Sequence, residues 1–184
     1  MYNTDMISYL QKLFQKKKKT KIHMIVAIDE ERGIGKNTEL LFSIKKDMQH
    51  FTEKTTDGVV IMGSTTYESI PQKFRPLKNR INIILHREKI HYPGKNVFVV
   101  HSISEAIKKA ENFQKKIWVM GGASIYQQML PFTHEIELTQ IVTRKKADTF
   151  FPEFKKKFYI IKKSEKFFDG KEQVYYQFQT WKRK

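Results

Sequence analysis

A chain of 184 residues with 40% apolar and 13% aromatic content is long enough for one domain with a real core, which excludes a disordered or collagen-like polymer. Without cysteine it has no disulfide, thiolate metal site or cysteine nucleophile, which fits a reducing compartment, and no apolar run reaches the length of a membrane span. The net charge of +16 favours an anionic partner: nucleic acid, an anionic membrane surface or a phosphate-bearing small molecule.

Residues 1–21 read as a basic appendage. Lys12, Lys16, Lys17, Lys18, Lys19 and Lys21 stand against a single acid, Asp5, and Met6, Ile7, Leu10 and Phe14 are spaced to share one face of a short helix. Mitochondrial presequences are typically Arg- and Ser-rich and lack acids, and this segment has no Arg. The expectation is a disordered tail or short amphipathic helix on a soluble cytoplasmic protein, with organelle targeting as the alternative.

From Ile22 onward, short runs rich in Val and Ile alternate with helical patterns. Strands are expected over residues 22–28, 58–62, 81–85, 97–100 and 117–120, and helices over 43–54, 65–70, 104–112 and 124–130. Ser102 and Glu105 have capping-box spacing, and Pro131 stops the last helix. This alternation predicts a parallel sheet with helices on both faces. After Pro131 only strand patterns follow, over 135–143, 158–163 and 173–181, with a turn at Asp169-Gly170, so an antiparallel ribbon should close the sheet.

One residue breaks its local pattern. In the first helix Ile44, Met48 and Phe51 recur at helical spacing, and Asp47 falls among them. A carboxylate there calls for a cationic or donor-rich partner opposite, either a ligand or a lysine at the rim of the stripe.

Three strand ends suit a phosphate-bearing ligand. The strand ending at Met120 runs into Gly121-Gly122 and a helix, so bare backbone amides meet a helix dipole. The strand ending at Met62 runs into Gly63-Ser64-Thr65-Thr66, which adds hydroxyls, and the one ending at Leu85 runs into the cationic pair His86-Arg87. In an open α/β sheet, ligands gather at the carboxyl ends of the strands, so these junctions should share a rim.

In order along the chain, the segments resemble dihydrofolate reductases from Ile22 to Lys184. The matching pieces are Ala27, Gly33-Ile34-Gly35 with Asn37, the helix carrying Asp47 and Phe51, and Val60-Ile61-Met62-Gly63 through Tyr67-Glu68-Ser69-Ile70. They continue through Arg75-Pro76-Leu77, Arg80, Asn82-Ile83-Ile84-Leu85, Gly121-Gly122-Ala123-Ser124-Ile125-Tyr126, Thr139 and Asp148-Thr149-Phe150-Phe151-Pro152. The resemblance implies one α/β domain over residues 22–184: a mostly parallel central sheet of about eight strands, closed by a C-terminal antiparallel hairpin and flanked by four helices.

The resemblance also implies a chemistry: NADPH-dependent reduction of 7,8-dihydrofolate, by hydride transfer to C6 and protonation of N5, in a monomeric enzyme of one-carbon metabolism, of a type that antifolates target, that needs no metal. Asp47 would accept hydrogen bonds from the pterin 2-amino group and N3, supported by Thr139. The Ile25 backbone, Ala27, Met48, Phe51, Ile70, Leu77 and Met120 would line the folate slot beside Arg75, and Arg80 would grip the α-carboxylate of the glutamate tail. The backbones of Ala27 and Ile34 would hold the nicotinamide carboxamide, with Gly35 and Asn37 nearby and Tyr126 beside the ring. Gly121, Gly122, Ala123, Ser124 and Ile125 would hold the phosphates with Thr65 and Thr66. Gly63, Ser64, Leu85, His86 and Arg87 would complete the cofactor site, and the Gly121-Gly122 bond resembles the family's cis peptide.

Three features depart from the family pattern. Leu41-Phe42 stands where a Pro-Trp pair is usual, so Phe42 cannot supply an indole N–H to order a water near the pterin. Ser64 stands where many members carry a cation for the cofactor 2′-phosphate, and His86 where Ser or Thr is usual. Arg87 remains, which favours NADPH over NADH. Two other readings compete. The pyrimidine reductase of riboflavin biosynthesis shares fold and cofactor but should not need an acid at Asp47. A nucleic-acid binder would place basic residues among exposed aromatics, whereas here Phe and Tyr lie mostly within periodic strands, so nucleic acid is not expected as the primary partner.

Overall fold

The computed structural model describes residues 21–184, so the reading of the N-terminal appendage falls outside it apart from Lys21. The chain runs β1 (Ile22–Ile28), β2 (Gly33–Lys36), β3 (Glu39–Leu40), α1 (Lys45–Thr55), β4 (Val59–Gly63), α2 (Ser64–Ser69), β5 (Ile81–Leu85) and β6 (Val97–Val100). It continues through α3 (Ile103–Glu111), β7 (Ile117–Val119), α4 (Ala123–Met129), β8 (Thr133–Val142), β9 (Thr149–Phe150), β10 (Phe158–Asp169) and β11 (Val174–Arg183).

The main sheet has 8 strands in the order β10-β11-β8-β1-β7-β4-β5-β6. Pairing is parallel from β8 through β6 and antiparallel where β11 joins β8 and β10 joins β11, the mixed architecture expected from the sequence. Alternation along the central strands sorts side chains onto two faces. Met24, Val26, Val59, Ile61 and Val119 pack with Ala106 and Ala110 of α3 and Tyr126 and Met129 of α4. Ile25, Val60, Met62 and Trp118 pack on the opposite face with Tyr67 of α2 and Phe51 of α1. Helices therefore cover both faces, and the parallel ends of β4, β5 and β7 share one rim.

Several boundaries differ from expectation for identifiable reasons. Helix α1 begins at Lys45 because Ile44 is extended (φ −86°, ψ 117°) and 1% exposed, while the Ser43 N–H is committed to Glu172 Oε1 at 2.9 Å. At α3 the Ser102 hydroxyl accepts from the Glu105 N–H, but Glu105 reaches back to the His101 N–H, one residue before the cap. Helix α4 ends at Met129, and Pro131 sits inside a 3-10 turn, Leu130–Phe132. Strand β10 continues to Asp169, past Lys162, Lys163 and Lys166. Irregularities after Ile160 and after Lys163 break its alternation, and lysines are the usual guard of a sheet edge.

A second, 3-stranded sheet, β3-β2-β9, was not expected. Asn37 and Thr38 join β2 to β3 with φ of 52° and 66°, the signs of a type I′ hairpin turn, and Asp148 Oδ2 accepts the Asn37 N–H at 2.8 Å. That hydrogen bond is the main reason the Asp148 carboxyl lies below its ordinary acidity range, with Thr149 assisting.

Candidate active site

A cleft of about 1040 Å³ opens along this rim, and the small sheet forms its other wall. Asp47 from α1 lines it together with Ile25, Ala27, Phe51 and Met120. Met48 also lines it and is 45% exposed, because the face it shares with Asp47 borders open cleft rather than core. Thr139 on β8 lies behind the acid and donates its hydroxyl to Asp47 Oδ1 at 2.6 Å. Burial pushes the Asp47 carboxyl above the ordinary carboxylate range, opposed by the Thr139 hydrogen bond and then by the charge of His50. One oxygen is thus anchored by its own chain.

The glycines at the strand ends hold backbone close to backbone. Gly121 has φ +113°, and a Cβ there would lie 3.1 Å from the Tyr126 ring. A Cβ on Gly122 would come within 3.1 Å of Thr66 Oγ1, and one on Gly63 within 3.2 Å of Ile125. The Gly63 N–H donates to the Gly121 carbonyl at 2.9 Å, and the Gly121-Gly122 bond is cis, as the resemblance implies. Both α2 and α4 start at this cradle without a side-chain cap, leaving the first amides beside Ser64, Thr65, Thr66, Ala123, Ser124 and Ile125 free for an anion. Tyr126 donates its phenol to the Ile25 carbonyl at 2.7 Å, and burial, followed by the Asp47 charge, raises its pKa well above the ordinary phenol value.

Beyond the cradle, Leu85, His86 and Arg87 line the far end of the cleft with His101. His101 Nδ1 donates to the His86 carbonyl at 2.9 Å, and among the described residues no carboxylate pairs with the exposed Arg87. At the near end Ile34, Gly35 and Asn37 line the wall with Leu41 and Phe42.

Phe42 is buried, with the Lys145 ammonium 4.6 Å above its ring. The same ammonium donates to the Leu41 carbonyl at 3.3 Å and pairs with Glu172 at 2.8 Å. The Leu41–Ser43 segment is thereby tied to two distant loops. If Phe42 borders the pterin as the resemblance implies, it has apolar bulk without the indole donor, so ligand packing should survive while proton delivery is less well guided. Phe42→Trp is accordingly expected to raise the single-turnover hydride-transfer rate most at higher pH, with Leu41→Pro needed as well if the segment does not present the indole. Stopped-flow rates across pH check this, and no gain from either the single or the double substitution would mark Phe42 as a packing residue only.

Not every expected residue reaches the cleft wall. Thr139 meets Asp47 from outside the lining, and Ile70 and Leu77 pack with Phe51 against the Ile25 face of the sheet. Arg75 sits 5.8 Å from the Tyr67 ring, before the cis Arg75-Pro76 bond, outside the lining. Arg80 is 8% exposed and is held by its own chain: Nε donates to Thr55 Oγ1 at 2.8 Å and Nη1 to the Lys78 carbonyl at 2.8 Å. Nη2 makes longer contacts to the Thr52 carbonyl and Thr56 Oγ1, at 3.3 and 3.4 Å.

The family model for dihydrofolate reductase matches residues 21–183 of this sequence. The chain belongs to the dihydrofolate reductase family. It is 36% identical to the viral dihydrofolate reductase of Saimiriine herpesvirus 2 (strain 488), over 75% of this chain and 71% of that protein. It is 37% identical to the dihydrofolate reductase of Sus scrofa, over 72% of this chain and 79% of the relative. The Heliothis virescens dihydrofolate reductase is 36% identical, over 84% of this chain and 90% of the relative.

Four residues around the site escaped the sequence reading. Lys145 and Glu172 are far from Leu41 in the chain and have no local signature. His50 and Glu137 did have one: His50 follows Asp47 by three positions on a helix, and Glu137 precedes Thr139 by two on a strand. Burial pushes the Glu137 carboxyl up, but His50 at 3.8 Å and Lys54 at 3.1 Å outweigh it and bring it to about 2. A depressed folded-state value stabilises the fold at pH above the ordinary glutamate range, and the stabilisation disappears as pH falls from about 4.5 towards 2. Glu137→Gln should therefore melt at a lower temperature than wild type at pH 7, and the gap should close as pH falls through that window. Calorimetry at both ends checks it.

Proposed function

We propose that the protein reduces 7,8-dihydrofolate to 5,6,7,8-tetrahydrofolate with NADPH, supplying one-carbon metabolism and thymidylate synthesis. The observation that carries this reading is a half-buried carboxylate, Asp47, lining the cleft with one oxygen held by Thr139. Its remaining lone pairs suit the 2-amino and N3 donors of a pterin, a planar two-point recognition that strengthens away from bulk water. The apolar lining from Ile25, Ala27, Met48, Phe51 and Met120 suits the faces of the bicyclic ring.

The rest of the cleft fits a dinucleotide. Any side chain at Gly122 or Gly63 would crowd Thr66 or Ile125, so bare backbone is what a closely approaching pyrophosphate requires. Gly121 to Ile125 with Thr65 and Thr66 are read as the phosphate cradle, and Ser64, Leu85, His86 and Arg87 as the end that recognises a 2′-phosphate. When bound, a reduced nicotinamide supplies the hydride, and the protein supplies alignment. The Ala27 and Ile34 backbones fix the carboxamide, Gly35 and Asn37 shape the wall beside it, and Tyr126, anchored to Ile25, sets the floor. Phe42 excludes water from the pterin edge. Arg80 is read as the clamp on the glutamate α-carboxylate beside Arg75, Ile70 and Leu77: its guanidinium plane is preset by Thr55 and Lys78, and Nη2 keeps only long contacts to exchange for a carboxylate.

Purified protein should oxidise NADPH when dihydrofolate is added and not otherwise. Turnover of the riboflavin-pathway pyrimidine instead would favour the alternative reductase. Retention of polynucleotide at moderate salt without any turnover would favour the basic binder.

A further inference from the structure

Behind Asp47 the helix and the sheet are joined by a ladder of charge that the reaction as read so far does not use. Asp47, His50 and Lys54 lie at intervals of three and four along one face of α1, and Glu137 and Thr139 lie two apart on one face of β8. Thr139 donates to Asp47 at 2.6 Å, forming the first rung. The second is the Glu137 carboxylate, with His50 Nε2 3.8 Å from Oε2 and Lys54 Nζ 3.1 Å from Oε1. From β11, which pairs Phe178 with Thr139 and Thr180 with Glu137, the Phe178 ring stacks on His50 at 4.3 Å and the Thr180 hydroxyl donates to Glu137 at 3.3 Å. His50 and Glu137 are largely buried, with side chains 20% and 11% exposed, whereas Lys54 reaches further out at 35%.

We propose that His50 is a positioning residue for Asp47: held between Glu137 and Phe178, its imidazolium is the counter-charge that keeps the Asp47 carboxylate an acceptor for the pterin. The pterin part of this inference rests on the reading of Asp47 given above. The pieces have separate tasks. Phe178 and Glu137 fix the imidazole in place, one by stacking on its ring and the other by ion-pair geometry at Nε2. Lys54 and Thr180 neutralise and orient Glu137 so that its charge is not felt in full at Asp47. The charges alternate from cleft to surface, negative at Asp47, positive at His50, negative at Glu137 and positive at Lys54. Burial raises the Asp47 carboxyl, and the Thr139 hydroxyl and then the positive charge of His50 oppose that rise. The buried phenols of Tyr126 and Tyr176 also feel the Asp47 charge, and neither supplies a cation.

The test compares a neutral with a permanently cationic replacement. In ligand-free protein with labelled aspartate, the Asp47 carboxyl resonance is followed by NMR against pH in wild type, His50→Gln and His50→Lys, with circular dichroism to verify folding. The titration midpoint of Asp47 should rise by roughly half a pH unit to one unit in His50→Gln, and stay at or below the wild-type value in His50→Lys. If the glutamine variant does not fold, His50→Asn is the smaller neutral replacement. No upward shift beyond titration error in the neutral variant, or the same shift in the lysine variant, overturns the proposal, because loss of packing alone would move both alike. The pH profile of kcat/KM for dihydrofolate then reports whether the enzyme uses the link: its Asp47-dependent limb should move the same way. A shift in the resonance without one in the profile would support the His50–Asp47 link and count against the pterin reading of Asp47.

Discussion

Asp47→Asn should fold, retain the cleft and lose most of its turnover at neutral pH. The asparagine keeps the size of the side chain and an oxygen for the Thr139 hydroxyl, so the anchor seen at 2.6 Å can persist. On the proposed reading of Asp47, it loses the charge that would make the contact to the pterin donors stronger in the transition state than in the ground state. A charge-assisted contact of that kind is worth about 2 to 4 kcal/mol, corresponding to a fall in kcat of roughly thirtyfold to a thousandfold. Steady-state kinetics with melting curves checks this, and near-wild-type turnover in a folded variant would remove Asp47 from the reaction.

Arg87→Ala should separate the two nicotinamide cofactors. Arg87 is exposed at the far end of the cleft, and Ser64 offers no cation there, so the guanidinium is the main candidate for a 2′-phosphate. Losing a hydrogen-bonded charge pair of about 1.5 to 3 kcal/mol should raise the KM for NADPH about tenfold to a hundredfold. The KM for NADH, which has no 2′-phosphate, should hardly change. Equal losses for both would move the phosphate contact to a neighbour such as His101, which lines the same end, or to Lys36.

Much of this architecture is legible in local sequence because it rests on period and punctuation. The strands Ile22–Ile28, Ile81–Leu85 and Val97–Val100 stand where their Val- and Ile-rich runs put them, and Gly63 at the end of β4 meets Gly121 just beyond β7 across the cradle. Asp47 announces itself as an acid on an apolar helical face. Thr139 has no such signal, being one polar residue within a strand, and only the family resemblance singles it out. The second sheet was illegible because β3 and β9 have two residues each and β2 has two glycines in four, too short and too glycine-rich for a strand period. The lysines and irregularities of β10 concealed half its length for a related reason: an edge strand need not alternate when solvent covers one side. The clamp from Lys145 and Glu172 onto Leu41–Ser43 joins three segments far apart in the chain, and contacts of that kind leave no trace in spacing. Arg80 shows the converse limit. Its residue type suits a carboxylate, but only the structure reveals that Thr55 and Lys78 already hold it.

Hydride transfer to dihydrofolate can be followed atom by atom. Purified protein is supplied with dihydrofolate and NADPH deuterated at nicotinamide C4, and the product is analysed by mass spectrometry and NMR. The account predicts tetrahydrofolate carrying deuterium at C6, with N5 protonated from solvent. Product lacking deuterium at C6, or intact dihydrofolate after prolonged incubation with folded protein, would contradict it.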